Sequence, residues 1–151
     1  MSVIGNLAKL QQLYEVDDHE WLLTNIELLK QRRFDHLDLE NLIEELESLA
    51  KRDKHQVKNL LEQIIRHLLL LNFWQAEYER NQNHWRAEIR SFRTQLKDRL
   101  TTNLSNYLIS ILSKIYGDAL GYVQEKTAFT VNFPQECPYT LEQLLDVNYW
   151  D

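Results

Sequence analysis

The chain has 151 residues, 44% hydrophobic and 26% charged, which suits one domain with a real core and excludes a disordered chain or two full-sized domains. Three Gly and two Pro fall far below the roughly 12% of average usage, which argues against turn-rich β sandwiches and Gly-loop nucleotide folds and leaves helices. A net charge of −6 repels phosphate backbones and anionic membranes, so any nucleic-acid role needs a local basic patch.

Met1 to Asn6 shows no basic region followed by a long apolar stretch, so no secretory signal is read. The longest apolar run, Leu68 to Leu71, is far shorter than the roughly 20 residues that span a bilayer. The single cysteine, Cys137, can build neither an internal disulfide nor a thiolate zinc site and reads as a small buried apolar side chain. The expectation is a soluble cytoplasmic protein forming a single domain over 1–151.

Asp17 with Glu20 three residues on is a cap-like start, and Trp21, Leu22, Ile26 and Leu29 recur at helical spacing, predicting a helix from about 18 to 32. A connection through Phe34 to Leu37 leads to a cap at Asp38, and a long central helix follows to about Gln75 without Gly or Pro. Leu42, Ile43, Leu46, Leu49, Val57, Leu60, Leu61 and Ile64 share one arc of about 120° on it, with Glu40, Glu44 and Glu47 on a stripe beside them. Beyond Ile64 the apolar residues cover almost every direction, so this half is buried all round, at a bundle centre or a subunit interface.

Asn81-Gln82-Asn83 predicts a turn, and a helix from about His84 carries Ile89, Phe92, Leu96 and Leu100 on one face with Arg86, Arg90, Arg93 and Lys97 beside it. Thr101-Thr102-Asn103 is cap chemistry and predicts a separate helix from about 103 to 125. Both prolines lie in Phe129 to Tyr139, an extended arm packed by its aromatics. Thr140 with Gln143 is a capping box for a short helix striped by Leu141, Leu144 and Leu145. The fold expected is all-α: a bundle built on a long antiparallel helix hairpin, with a C-terminal arm over 127–151 and a short helix.

The run Asp38-Leu39-Glu40-Asn41-Leu42-Ile43-Glu44-Glu45-Leu46-Glu47-Ser48-Leu49, the Trp85-Arg86 pair with Ile89, and Phe133-Pro134 through Cys137-Pro138-Tyr139-Thr140-Leu141-Glu142-Gln143-Leu144-Leu145-Asp146 form three ordered motifs. Together, from about Leu13-Tyr14 to Trp150, the chain resembles the bacterial "domain of unknown function twenty-nine" proteins. The resemblance implies a small all-helical bacterial protein and supplies no activity. Many members carry a Pro near Thr102 or Asn103, which this chain lacks.

Asp35 to Glu47 holds six acids and no Lys or Arg, while Arg80 to Arg99 holds six bases against Glu88 and Asp98. The plainest expectation pairs Glu40, Glu44 and Glu47 with Arg86, Arg90 and Arg93 across neighbouring helices. A phosphate-binding arginine face and a merely solvated face are the alternatives. A metal reading combines Glu44 or Glu47 with His67 and His84, but it lacks the E-x-x-H pair of di-iron bundles and any two histidines at i, i+4. A hydrogen-bonded boundary histidine is the simpler account of His67, and first-turn acids that suit the helix dipole account for Asp17-Asp18-His19-Glu20. Arg80 to His84 is spaced too closely for a small helical ribonuclease motif, and no P-loop, dinucleotide or nucleophile motif occurs. Trp85 beside Arg86 could stack a ring, but an aromatic anchoring a helix start is the simpler role.

Three functions follow. The first is a non-enzymatic helical interaction module that self-associates, with Leu68, Leu69, Leu70, Phe73 and Trp74 as candidate interface and a homo-oligomer or another protein as partner. The second is an enzyme, metal-dependent hydrolases included, using a polar cluster of Glu44, Glu47, His67, Arg86 and Arg90. The third is nucleic-acid association through the Arg86 to Lys97 face. The first is favoured; no catalytic residue, metal ligand, cofactor or membrane contact is assigned.

Overall fold

The computed structural model describes residues 3–151, with side chains from residue 7 onward. Met1 and Ser2, part of the stretch read for a secretory signal, lie outside the described residues. Six helices occur, α1 (Val3–Val16), α2 (Asp18–Lys30), α3 (Leu39–Phe73), α4 (Gln75–Arg99), α5 (Thr102–Lys126) and α6 (Leu141–Leu145), with a 3-10 turn at Phe34–His36 and no strand among the described residues. The fold is an all-α bundle. None of these helices is long and apolar enough to cross a membrane. Contacts divide the chain into two compact units, residues 1–51 and 52–151.

In the first unit a single residue, Asp17, separates α1 from α2, and its carboxylate accepts the Glu20 N–H at 3.1 Å. That removes one of the orphan donors at a helix start. α2 ends with Arg32 in the left-handed region (φ 58°) while the Arg33 and Arg32 N–H groups donate to the carbonyls of Leu28 and Leu29, a Schellman closure made without glycine. The centre is small: Leu10, Trp21 and Leu37 are buried, with Tyr14 edge-on to Trp21 at 4.7 Å. Its polar heart is Asp38, fully buried, accepting from Trp21 Nε1 at 2.9 Å and Asn41 Nδ2 at 2.7 Å while its own N–H donates to Asn25 Oδ1.

The second unit is a three-helix bundle of the α3 residues from 52 onward, α4 and α5. α3 stops at Phe73 and α4 starts at Gln75, so the reversal falls at Trp74 and not at the expected Asn81-Gln82-Asn83 turn. The amide of Asn81 donates to the Glu77 carbonyl four residues back, which satisfies it inside the helix. Antiparallel pairing of α3 and α4 shows in Trp74 stacked on Trp85, His67 against Phe92, and Arg99 donating to Gln56 at 2.7 Å. Thr101 caps α5 by accepting from Leu104 N–H, so the chain breaks between Leu100 and Thr102 without proline.

Leu61, Ile64, Ile65, Leu68 and Leu69 of α3 have no exposed surface and pack with Ile89 and Leu96 of α4 and with Leu108 and Ile115 of α5. The arm after α5 lays Phe133 and Tyr139 into the same core, and Tyr139 accepts from Asn72 at 3.1 Å. The capping box of Thr140 and Gln143 then forms as expected and starts α6.

Candidate functional site

In the first unit α2 turns Trp21 and Asn25 inward and leaves Leu22, Leu23, Ile26 and Leu29 exposed. The opening turns of α3 likewise turn Asn41 and Glu45 toward partners, Glu45 accepting the Tyr14 hydroxyl at 2.7 Å. That bond pushes the Tyr14 pKa up to about 12, because it and the neighbouring carboxylates favour the protonated phenol. The opposite side of α3 is bare: Leu39, Ile43, Leu46 and Leu49 are 43–57% exposed. Eleven of the 23 acidic residues but 5 of the 17 basic ones lie in residues 1–51, so this unit carries the entire charge of −6 and residues 52–151 balance at 12 and 12.

In the second unit a half-open cavity of about 330 Å³ is lined by His67, Leu70 and Trp74, by Asn81, His84 and Trp85 of α4, and by Tyr122 and Lys126 of α5. His67 Nδ1 lies 2.6 Å from the Gln63 carbonyl; a carbonyl only accepts, so this nitrogen carries the proton and Nε2 holds a lone pair. Burial pulls the His67 pKa below the ordinary imidazole value, with His84 and Lys126 acting in the same sense and the Gln63 bond and Glu88 opposing it. Behind Tyr122, Arg66 lies over its ring at 3.8 Å and is ion-paired to Glu62.

The arginine stripe serves the C-terminal arm. Arg93 is fully buried and donates through Nε to the Leu144 carbonyl at 2.8 Å and through Nη2 to the Gln143 carbonyl at 3.3 Å. Arg86 and Arg93 both lie against the ring of Trp150, at 4.9 and 5.3 Å. The expected pairing set Glu40, Glu44 and Glu47 of the first unit against Arg86, Arg90 and Arg93 of the second; within the second unit, Arg86 and Arg93 engage the arm. Arg93 is held by the last carbonyls of α6 and, with Arg86, by an indole face, without a second buried charge.

Of the candidate polar cluster, Glu44 and Glu47 are exposed residues of the first unit, while His67, Arg86 and Arg90 belong to the second. Within the second unit His67 meets His84, and Arg86 meets Trp150. No group of three or more His, Cys, Asp or Glu side chains suited to a metal occurs among the described residues. Of the candidate interface, Leu68, Leu69 and Leu70 are at most 2% exposed and lie in the bundle core, while Phe73 and Trp74 are half-buried and pack against that core. With Arg86 and Arg93 tied to the arm, the Arg86 to Lys97 face keeps only Arg90 and Lys97 exposed. Tyr122 and Lys126, which complete the His67 cavity, went unmarked in the sequence; the only available signal was their i, i+4 spacing on α5.

These features define an all-helical protein with an acidic N-terminal unit and a tightly packed three-helix unit. The chain belongs to the family described as "Domain of unknown function DUF29", which matches residues 13–150. Neither a curated protein nor a solved structure matches it.

Proposed function

We propose that the protein is a non-enzymatic helical interaction module that self-associates through the bare apolar faces of α2 and the start of α3. One observation carries this reading. The apolar arc of α3 runs in a single register, yet Val57, Leu61 and Ile64 are fully buried while Ile43, Leu46 and Leu49 on the same arc stand open. A pattern kept in phase along a helix serves burial along its length, so the open half is built for a cover. The eight exposed Leu and Ile side chains of α2 and α3 offer several hundred Å², close to the roughly 800 Å² per partner of a standard interface.

A second copy supplies a matching cover. Lys30, Arg32 and Arg33 end α2, and Glu40, Glu44 and Glu47 flank the apolar arc of α3. In a two-fold pair the basic end of one copy can meet the acidic stripe of the other twice, which fixes the register. Light scattering at about 200 µM, where an interface of ordinary micromolar strength is filled, should give the mass of two 18.2-kDa chains. Ile43→Glu with Leu46→Glu should give one chain at unchanged helicity. A monomeric parent protein, or a double variant that still pairs, refutes the proposal.

A further inference from the structure

We infer that the cavity between α3, α4 and α5 in the second unit is a binding site for a small aromatic acid whose ring carries an N–H or O–H donor. This inference stands apart from self-association and uses none of its residues.

The cavity divides chemically into a flat apolar wall and a polar rim. Leu70, Trp74, Trp85 and Tyr122 provide the wall, the two indoles being stacked at 6.1 Å with 21° between their planes. A planar ring is the shape that gains most from such surfaces. Its volume of about 330 Å³ is at the small end of ligand pockets, which run from about 300 to 1,000 Å³, and suits one fused or substituted ring.

The rim sets polarity. Lys126 contributes an ammonium 5.9 Å from the Tyr122 ring centre, the exposed His84 adds an imidazole, and the lining contains no carboxylate. In a unit whose charges balance, this is a local site for an anion. His67 has a different task. Its Nδ1 proton is committed to the Gln63 carbonyl, so the atom left to offer is Nε2, an acceptor while the ring is neutral. A neutral acceptor set apart from a cation calls for a ligand with one N–H or O–H and one carboxylate, as in an indole or phenol carboxylic acid. An aromatic acid without the donor leaves the Nε2 lone pair desolvated and unpaired, which weakens binding.

The test titrates the full chain with indole-3-acetate, 1-methylindole-3-acetate and the neutral ring 3-methylindole, following the indole and imidazole signals by nuclear magnetic resonance. Indole-3-acetate should saturate with a millimolar or tighter Kd and shift Trp74, Trp85 and His67. The N-methyl acid and the neutral ring should each bind about tenfold more weakly. Lys126→Gln and His84→Gln replace exposed side chains, so the fold is kept; each should weaken the acid about tenfold and leave 3-methylindole unaffected. No saturable shift up to about 10 mM, the weakest range that counts as a site on the affinity scale, overturns the inference. So do equal affinity for acid and neutral ring, undiminished binding of the N-methyl acid, or binding indifferent to both substitutions.

Discussion

Arg93 shows how one side chain can organise a segment fifty residues away. The carbonyls it takes, those of Gln143 and Leu144, are among the last of α6, which a five-residue helix cannot satisfy internally. Burial lowers the Arg93 pKa, and Asp146 and Tyr149 act in the opposite direction to keep the guanidinium charged. Arg93→Ala removes both hydrogen bonds and the support under Trp150. The expected result is a loss of about 2–4 kcal/mol in denaturant unfolding, the range for breaking charge-assisted buried bonds, with early proteolysis confined to residues 140–151. Arg93→Lys should recover little, because an ammonium cannot reproduce a planar fork. Unchanged proteolysis in both variants would contradict this role.

Among the elements, α5 is the one most open to improvement. Gly117 and Gly121 lie in its interior, and a Cβ at either would meet nothing within 4 Å. Alanine at each should therefore raise stability by about 0.5–1 kcal/mol without rearrangement, because a helix-interior glycine keeps excess freedom in the unfolded chain. Thermal melts of the single and double substitutions check this, and any fall in melting temperature refutes it.

The elements also show what was legible in the residues. Caps stated themselves: Asp17, Thr101 and Thr140 with Gln143 each make the bond their side chains suggest. α1 was not anticipated, because Leu7, Leu10 and Leu13 recur over too short a stretch to stand out and its end is shared with the cap of α2. The turn at Asn81 to Asn83 was misplaced because amides that favour turns can also bond backward within a helix. The site was less legible still. Charge patterning suggested that arginines seek glutamates, whereas burial gave them carbonyls and an indole. His67 and His84 lie seventeen positions apart, and only the hairpin of α3 on α4 brings them to one cavity.

At the scale of the molecule the two units are unequal in substance. Residues 52–151 hold the extensive core from Val57 to Leu144, whereas among the described side chains the first unit buries only Leu10, Trp21 and Leu37 as apolar anchors around the Asp38 network. Local stability follows buried apolar contact. Amide exchange should therefore be orders of magnitude slower in 57–71 and 89–123 than in 7–37. If the first unit pairs with a second copy, its exchange alone should slow as protein concentration rises, by mass action. Equal protection throughout, independent of concentration, would contradict both expectations.

All of the net charge sits on the smaller unit, so a counter-ion atmosphere gathers around one third of the chain while the remainder stands near electrical balance. Two such acidic thirds brought together must share and compress their ion clouds, a penalty that dissolved salt relieves over a Debye length of about 8–10 Å. If copies pair as proposed, their assembly should depend on the ionic composition of the surroundings as well as on abundance, with dilute electrolyte holding copies apart and concentrated electrolyte letting the oily stripes close.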